Sequence, residues 1–524
     1  MTSPSGTSTA GAPADDLGGV DPAVYRRRYA ILATMCLSLV LIVATVSSVN
    51  VAIPSLAQSE LRPSDTEILW IVDAYALVFA ALLLPAGALG DRFGRKGALL
   101  VGLVIFAVAS ALCAVMGSAA ALIACRAVMG IGAALIMPST LSLLQSAFPP
   151  QERAKAIATW SGFAGAGGAI GPLMGGFLLE HFWYGSVFFV AAPLAAVAIV
   201  FTAVLAPRAK EGAGAALDPI GAVLSIVGFS ALLYAIIEGP ELGWTAPAVL
   251  VGFAVAVLGL AGFVVWERTT DEPMLDLCYF RTRRFAMGSL GITFTFLAMF
   301  SMFFVLTQYL QYVQGSSPLE SGVKGLPFAV AMIIVSPRAA DLAVRFGARR
   351  TVVSGMSLMA IGIVLLSFFS VETPYWYVAM CLVIMAVGVA AAMPSLSAGI
   401  VQSVPFHKAG VGSAVNDTTR EVGGAIGIAL VGSIVTSVYR DRLSPVLGVL
   451  PAEVADLARE NVGTALAAAD RAAPIVGPEQ AEALRTSVRE AFVSGSHIGL
   501  RVAAALVAFA AVVVHIRMRE DAPA

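Results

Sequence analysis

Four ionisable side chains stand inside long apolar runs: Asp73, Arg126, Asp417 and Glu421. A charge at membrane depth costs at least about 2.5–3.5 kcal/mol on insertion scales, so a group kept there is a candidate for function. Asp73 has no basic residue near it in sequence. A carboxyl held away from water can take up and release a proton near neutral pH, and it can equally attract a cation. Competition between the two is the simplest exchange mechanism: proton on, cation off. The structural alternative is a carboxylate bonded to a neighbouring helix. Asp417 and Glu421 are four residues apart and share one helix face. Like charges that close do not both ionise easily, so one tends to hold a proton. Asn416 and Arg420 flank them, and a salt-bridged structural cluster is the competing reading. Arg126 needs a buried partner; it either tunes a nearby carboxyl or tethers two helices.

Long helices must carry these groups. Of 524 residues, 58% are hydrophobic and 12% charged, about half the charged share of a soluble chain. Mean hydropathy is +0.87. Lipid must therefore cover part of the surface. A helix needs about 20 apolar residues to cross a bilayer. Fourteen runs meet that length: 30–53, 67–89, 98–117, 119–142, 157–179, 187–206, 219–237, 246–266, 285–310, 322–344, 351–371, 375–399, 411–437 and 497–516. Basic residues concentrate in alternate loops: Arg26 to Arg28, Arg92 with Arg95 and Lys96, Arg153, Arg208, Arg281 to Arg284, Arg345 to Arg350, Lys408, and Arg517 with Arg519. Arg62 is the exception. The positive-inside rule then puts both termini in the cytoplasm of a multi-pass plasma-membrane protein. Residues 1–29 and 517–524 read as cytoplasmic tails. The long outer loop 438–496 reads as a helical hairpin, over 451–469 and 478–493, with Pro451 and Pro478 near the starts. The net charge of −1 gives no hint of nucleic acid, and five scattered cysteines form no pairing framework or metal-ligand spacing. No metal, cofactor, P-loop or enzyme constellation is read, so a proton gradient is the remaining energy source.

The chain repeats itself. G-G-A-I-G occurs at 167–171 and 423–427, and M-P-S at 137–139 and 393–395, both 256 residues apart. R-F-G with a following basic pair recurs at 92–96 and 345–350, 253 apart. Three ordered matches at nearly one offset indicate repeated halves. The expected organisation is a six-helix half over 30–206, an inserted helix pair over 207–268, and a second six-helix half over 269–516. Parallel repeats about a central cavity are an architecture of alternating-access carriers.

The loop after helix two reads G-A-L-G-D-R-F-G-R-K over residues 87–96, with Gly87, Asp91, Arg92, Gly94 and Arg95 in a tight charged turn. Charge pairing there can hold helix ends together in one state and release them in another. The spacing resembles the loop signature of the major facilitator superfamily. Arg126 with Gly130 resembles its helix-four pattern. Gly171, Pro172, Gly175 and Gly176 resemble its helix-five antiporter signature. With fourteen helices, the chain resembles the drug:proton antiporter family of that superfamily. Gly167, Gly171 and Gly175 also form a smooth stripe that a neighbouring helix can approach closely, where Pro172 can bend the helix. Sliding and plain tight packing are both open there.

The resemblance implies an all-α major facilitator fold. It also implies proton-coupled export of a small-molecule substrate, a lipophilic cation or antibiotic, by alternating access. It implies substrate or proton binding at Asp73, Glu421, Asp417, Arg126 and Asn50. Conformational gating falls to the loop and helix-five residues above. Asn50 and Pro54 match the family's helix-one pattern, but Thr45 stands where an acid is common. Met332 is near the place of a helix-ten acid found in some exporters of dications. Fewer acids favour monovalent or neutral substrates. Trp70, Tyr75, Phe296, Phe300, Met302, Phe303, Phe304, Tyr309 and Tyr312 either line a forgiving cavity or face lipid and other helices. The alternatives are a dedicated exporter of one metabolite and a non-transporting scaffold or sensor on the same fold.

Overall fold

The computed structural model describes residues 20–57, 59–61, 63–207, 217–447 and 462–518. Among them are fourteen helices long and apolar enough to cross a membrane. They are α1 Arg28–Ala57, α2 Asp65–Phe93, α3 Arg95–Cys113, α4 Ala119–Ala147 and α5 Pro150–His181. Next come α6 Ser186–Leu205, α7 Pro219–Leu242, α8 Pro247–Thr269 and α9 Arg283–Gln308. Then follow α10 Pro318–Phe346, α11 Ala348–Leu366, α12 Tyr375–Val401, α13 Ala409–Leu447 and α14 Pro478–Arg517. A spanning helix satisfies its backbone polar groups internally, which a bilayer core demands. Tails 1–19 and 519–524, and the loop residues Arg62, Arg208 and Lys210, lie outside the described residues.

Lipid exposure follows the helical period. On α3, Val101, Val104, Val108 and Leu112 are exposed, while Leu99, Leu103, Phe106 and Ala109 are buried. Buried apolar side chains form two large clusters. One draws on residues from Val20 to Ala206 with Val401, the other on residues from Phe263 to Met518 with Leu84.

The helix caps also repeat. Ser64 with Glu67 makes a capping box at the start of α2, and Ser317 with Glu320 makes one at the start of α10. Gly94 ends α2 at φ +100°, and Gly347 ends α10 at φ +88°. Both pairs keep the spacing of the R-F-G turns. Side chains rarely adopt such φ values, so glycine is what lets the chain turn straight into the next helix.

In the outer segment the second expected stretch is longer than its sequence bounds suggest. Residues 478–493 are no separate helix; they are the first turns of α14, which runs 40 residues without a break. No proline interrupts 479–517, and Gly495 lies so close to α13 that a Cβ there would sit 2.7 Å from the Val435 carbonyl oxygen. Of the other expected stretch, 451–461 lies outside the described residues, and the helix Val462–Val476 follows. That helix sets Gly463 against the Tyr312 ring. Arg485 bridges to Asp470 at 2.6 Å and to Glu482 at 2.7 Å on the exposed surface. Such exposed pairs contribute about 0–1 kcal/mol.

Candidate functional site

The end of the bundle that carries Asp91, Arg95 and Lys408, here the basic end, is closed by contact between α2 and α13. A Cβ on Gly87 would fall 2.6 Å from the Gly410 carbonyl oxygen and 2.8 Å from the Ala414 Cβ. Only glycine permits backbones that close. Asp91, buried beside this contact, accepts hydrogen bonds from the Gly410 N–H at 2.9 Å and the Val411 N–H at 3.1 Å. These are unsatisfied donors of the first turn of α13, which favours a carboxylate there. Arg95 completes the latch. Its Nε pairs with Asp91 at 3.2 Å, its Nη2 donates to the Phe406 carbonyl, and it stacks on the Phe406 ring. Gly87, Asp91 and Arg95 are thus at the α2–α13 boundary. Arg92 is exposed and lies over Phe93, and Gly94 contributes its backbone geometry alone. Lys96 instead donates to the Ala203 and Ala206 carbonyls at the end of α6.

Deeper in the bundle, Arg126 of α4 is fully buried. Its Nε donates to the Ile71 carbonyl at 2.8 Å and its Nη2 to the Val72 carbonyl at 3.3 Å. Its guanidinium lies 4.7 Å from the Tyr75 ring centroid, and its Nη1 has no hydrogen-bond partner. Gly130, one turn on, lets α4 meet the α2 backbone at Tyr75. Asp73 is half-buried, and its charge acts on Arg126. The Tyr75 hydroxyl is buried without a hydrogen-bond partner and feels the charges of both Arg126 and Glu421.

The α13 cluster faces this group. Asp417 and Asn416 are fully buried, and the Asn416 amide donates to Asp417 at 3.0 Å. Arg420 stands 3.6 Å from Asp417 and is held between rings, 4.5 Å from Phe296 of α9 and 5.6 Å from Trp160 of α5. Glu421, one turn beyond Asp417, is half-buried, and no hydrogen bond or ion pair among the described residues engages its carboxyl; Arg420 and Asp417 act on it electrostatically. Asn50 lies within α1, and its side chain is outside the described residues. Thr45 is buried and turns its hydroxyl back to the Leu41 carbonyl at 2.7 Å.

The glycines of α5 divide between two neighbours. Gly167, Gly171 and Gly175 pack on Val43, Ala44, Ser47 and Ser48 of α1, within the same cluster of helices. Gly162, Gly165 and Gly176 instead face Ser336, Met332 and Leu319 of α10, and Pro172 lies beside Gly322. The regular stripe is therefore a close seam with α1, and the boundary with α10 is made by glycines outside it. Gly162 and Gly165 escaped notice in the sequence because they break the four-residue spacing.

Of the aromatics that could either line a cavity or pack, several are packing groups. Phe303 meets Phe328 edge-on at 5.0 Å, and Tyr309 is buried against Phe369 with its hydroxyl bonded to the Ser370 carbonyl. Trp70 stacks with Tyr234 of α7 at 6.3 Å. Arg338 is exposed and donates to the Ile334 carbonyl. Lys324 donates to Ser316 at 2.6 Å.

Arg126 supplies a stability prediction. In Arg126→Lys a single ammonium replaces a planar fork, so one α2 carbonyl loses its charged donor. Hydrogen bonds to charged groups contribute about 1.5–3 kcal/mol each. Thermal unfolding of the purified variant should show a loss of that size. An unchanged midpoint would contradict the assigned bonds.

A family model described as Major Facilitator Superfamily matches residues 35–428. The multidrug efflux pump LfrA of Mycolicibacterium smegmatis is 36% identical over 494 residues, covering 94% of this chain and 97% of that protein. The tetracenomycin C resistance and export protein of Streptomyces glaucescens is 33% identical, covering 93% of this chain and 91% of that protein. Among solved structures, the human organic anion transporter MFSD10 superposes with a TM-score of 0.57 at 14% identity, over 93% of this chain and all of that one. The last likeness concerns the fold.

Proposed function

The chain belongs to the Major Facilitator Superfamily, and from that premise we propose that it exports drug-like organic cations or antibiotics across the plasma membrane in exchange for protons. The observation that carries the reading is a charge balance at the centre. Asp73, Asp417 and Glu421 stand against Arg126 and Arg420, contributed by α2, α4 and α13. When all five are ionised, one negative charge is left over. A buried excess charge is costly, so the site favours one bound proton or one bound monovalent cation at a time. Asp417 has a partner at 3.6 Å, which leaves Glu421 as the exchanging carboxyl of α13, and Asp73 joins it in this reading because its charge acts on Arg126.

The two apolar clusters support a reading as two lobes, residues 30–206 and 269–516, with α7 and α8 inserted between them in sequence. Glycine contacts along α2–α13 and α5–α10 supply close seams on which the lobes rock. With basic loops in the cytoplasm, both termini are inside, and the Asp91–Arg95 latch closes the inner end. In this state Glu421 and Asp73 then communicate with the outer side, where cargo leaves and a proton enters. Its partners in this reading are substrate, protons and lipid.

A second reading, a dedicated exporter of one antibiotic, is favoured by likeness to a single-antibiotic resistance protein. A resistance panel separates the two. Cells expressing the chain should tolerate several unrelated monovalent lipophilic cations. Tolerance of one compound alone would establish the dedicated exporter, and tolerance of none would contradict export.

A further inference from the structure

Away from the central carboxyls, two more acids face each other where the inserted helices meet. Asp218 caps the start of α7, and Glu267 sits in the last turn of α8; they are 9% and 4% exposed. Each has one satisfied oxygen. Asp218 Oδ1 accepts from the Gly221 N–H and from the Trp266 indole N–H, both at 2.8 Å. Glu267 Oε2 accepts from the Leu275 N–H at 3.1 Å. The second oxygens, Asp218 Oδ2 and Glu267 Oε1, are buried and receive no donor. They converge. A Cβ built on Gly221 would touch both of them, so the missing side chain leaves the space into which both are aimed.

The charged groups that act on Glu267 are Asp218 and Lys408. Lys408 donates to the Pro273 carbonyl at 2.9 Å, in the segment that follows α8. Two residues earlier in the same short turn, the Phe406 carbonyl receives Arg95 of the latch.

We infer that Asp218 and Glu267 share one proton, forming a proton-binding site separate from the central carboxyls and tied through Lys408 to the latch. Two ionised carboxylates at this burial repel each other and leave two acceptors without donors. One proton between Oδ2 and Oε1 supplies the missing donor and removes one charge. The Lys408 ammonium offsets the other, and the trio is neutral. Among the described residues, no group of three or more His, Cys, Asp or Glu side chains is placed to hold a metal ion. Loss of the proton leaves two negative charges facing Lys408 and holds its turn, with Phe406, more firmly on α8. The site thereby reports the pH at the basic end to the Asp91–Arg95 pair.

The inference does not depend on the export reading, and its test needs no substrate. Infrared spectra of the purified full chain in lipid nanodiscs resolve protonated carboxyl groups by their C=O stretch. At neutral pH, Glu267→Gln and Asp218→Asn should each lose one such band, because the proton then has no second carboxylate oxygen to bridge to. Lys408→Met should gain one, because the negative charge left on the buried pair then has no ammonium to offset it and a second proton is the remaining counter-charge. Unchanged carboxyl bands in Glu267→Gln and Asp218→Asn would overturn the shared proton. If either acid variant fails to fold, Lys408→Met decides, and no gain there overturns it.

Discussion

Glu421→Gln should abolish the release of protons that substrate addition triggers in the wild type, while the protein still folds. Glutamine keeps the shape of the side chain but cannot exchange a proton. The variant leaves Asp73 and Asp417 balanced by Arg126 and Arg420, so the excess charge that recruits a cation is gone. Close, desolvated charge pairs are worth about 1.5–7 kcal/mol. Since about 1.4 kcal/mol is a factor of ten, apparent substrate affinity should fall at least about tenfold. Asp73→Asn should resemble it. Asp417→Asn should not, because it strands Arg420 in the interior beside Phe296 and Trp160. Breaking a buried pair costs about 3–5 kcal/mol, so that variant should lose stability first. Coupling measured by a pH dye, set beside melting curves, separates the two kinds of loss. Equal loss of coupling with equal melting in all three would contradict the assignment of Asp417 as the balanced acid.

Gly410→Val should open the basic end. The Cβ of any side chain at 410 would meet the Gly87 carbonyl oxygen at 2.5 Å and the Asp91 carboxyl at 2.8 Å, and backbone cannot step aside as a flexible side chain can. Overpacking costs about 1–3 kcal/mol. Here the strain exists only while α2 and α13 touch, so it acts on one conformation. A differential of 1–3 kcal/mol shifts an equilibrium by about 5–150-fold. A cysteine placed at Ala414, which is fully buried against Gly87, reports the change. It should react slowly with a polar thiol reagent in the otherwise wild-type chain and much faster when Gly410→Val is added. Equal rates would show that the contact does not close this end.

Much of this was legible in the sequence. Apolar runs gave fourteen helices because a bilayer demands both length and hydrophobicity, and the R-F-G turns marked where α2 and α10 end. The central acids were visible because charge is rare in such runs. What they touch was not. Asp91 finds its donors at Gly410 and Val411, 319 and 320 residues away, and no local pattern announces that pairing. Tyr75 read as one aromatic among many, yet its hydroxyl lies where Arg126 and Glu421 both act. The α5 stripe showed its close packing but not its partner, since spacing fixes a face and not the helix opposite. The end of the second outer stretch was hidden for a related reason. Pro478 marks a helix start correctly, but Gly495, a residue type that often ends a helix, serves here for close packing on Val435, and the helix continues into the membrane.

In the proposed cycle, carboxyls of the bundle interior exchange a proton for cargo. That exchange is tested most directly in vesicles containing only the purified chain, loaded with a pH dye and given a monovalent lipophilic cation with no ATP present. An imposed pH difference should drive the cation uphill, and collapsing the difference should stop it. Uphill movement that persists after the collapse would contradict the exchange.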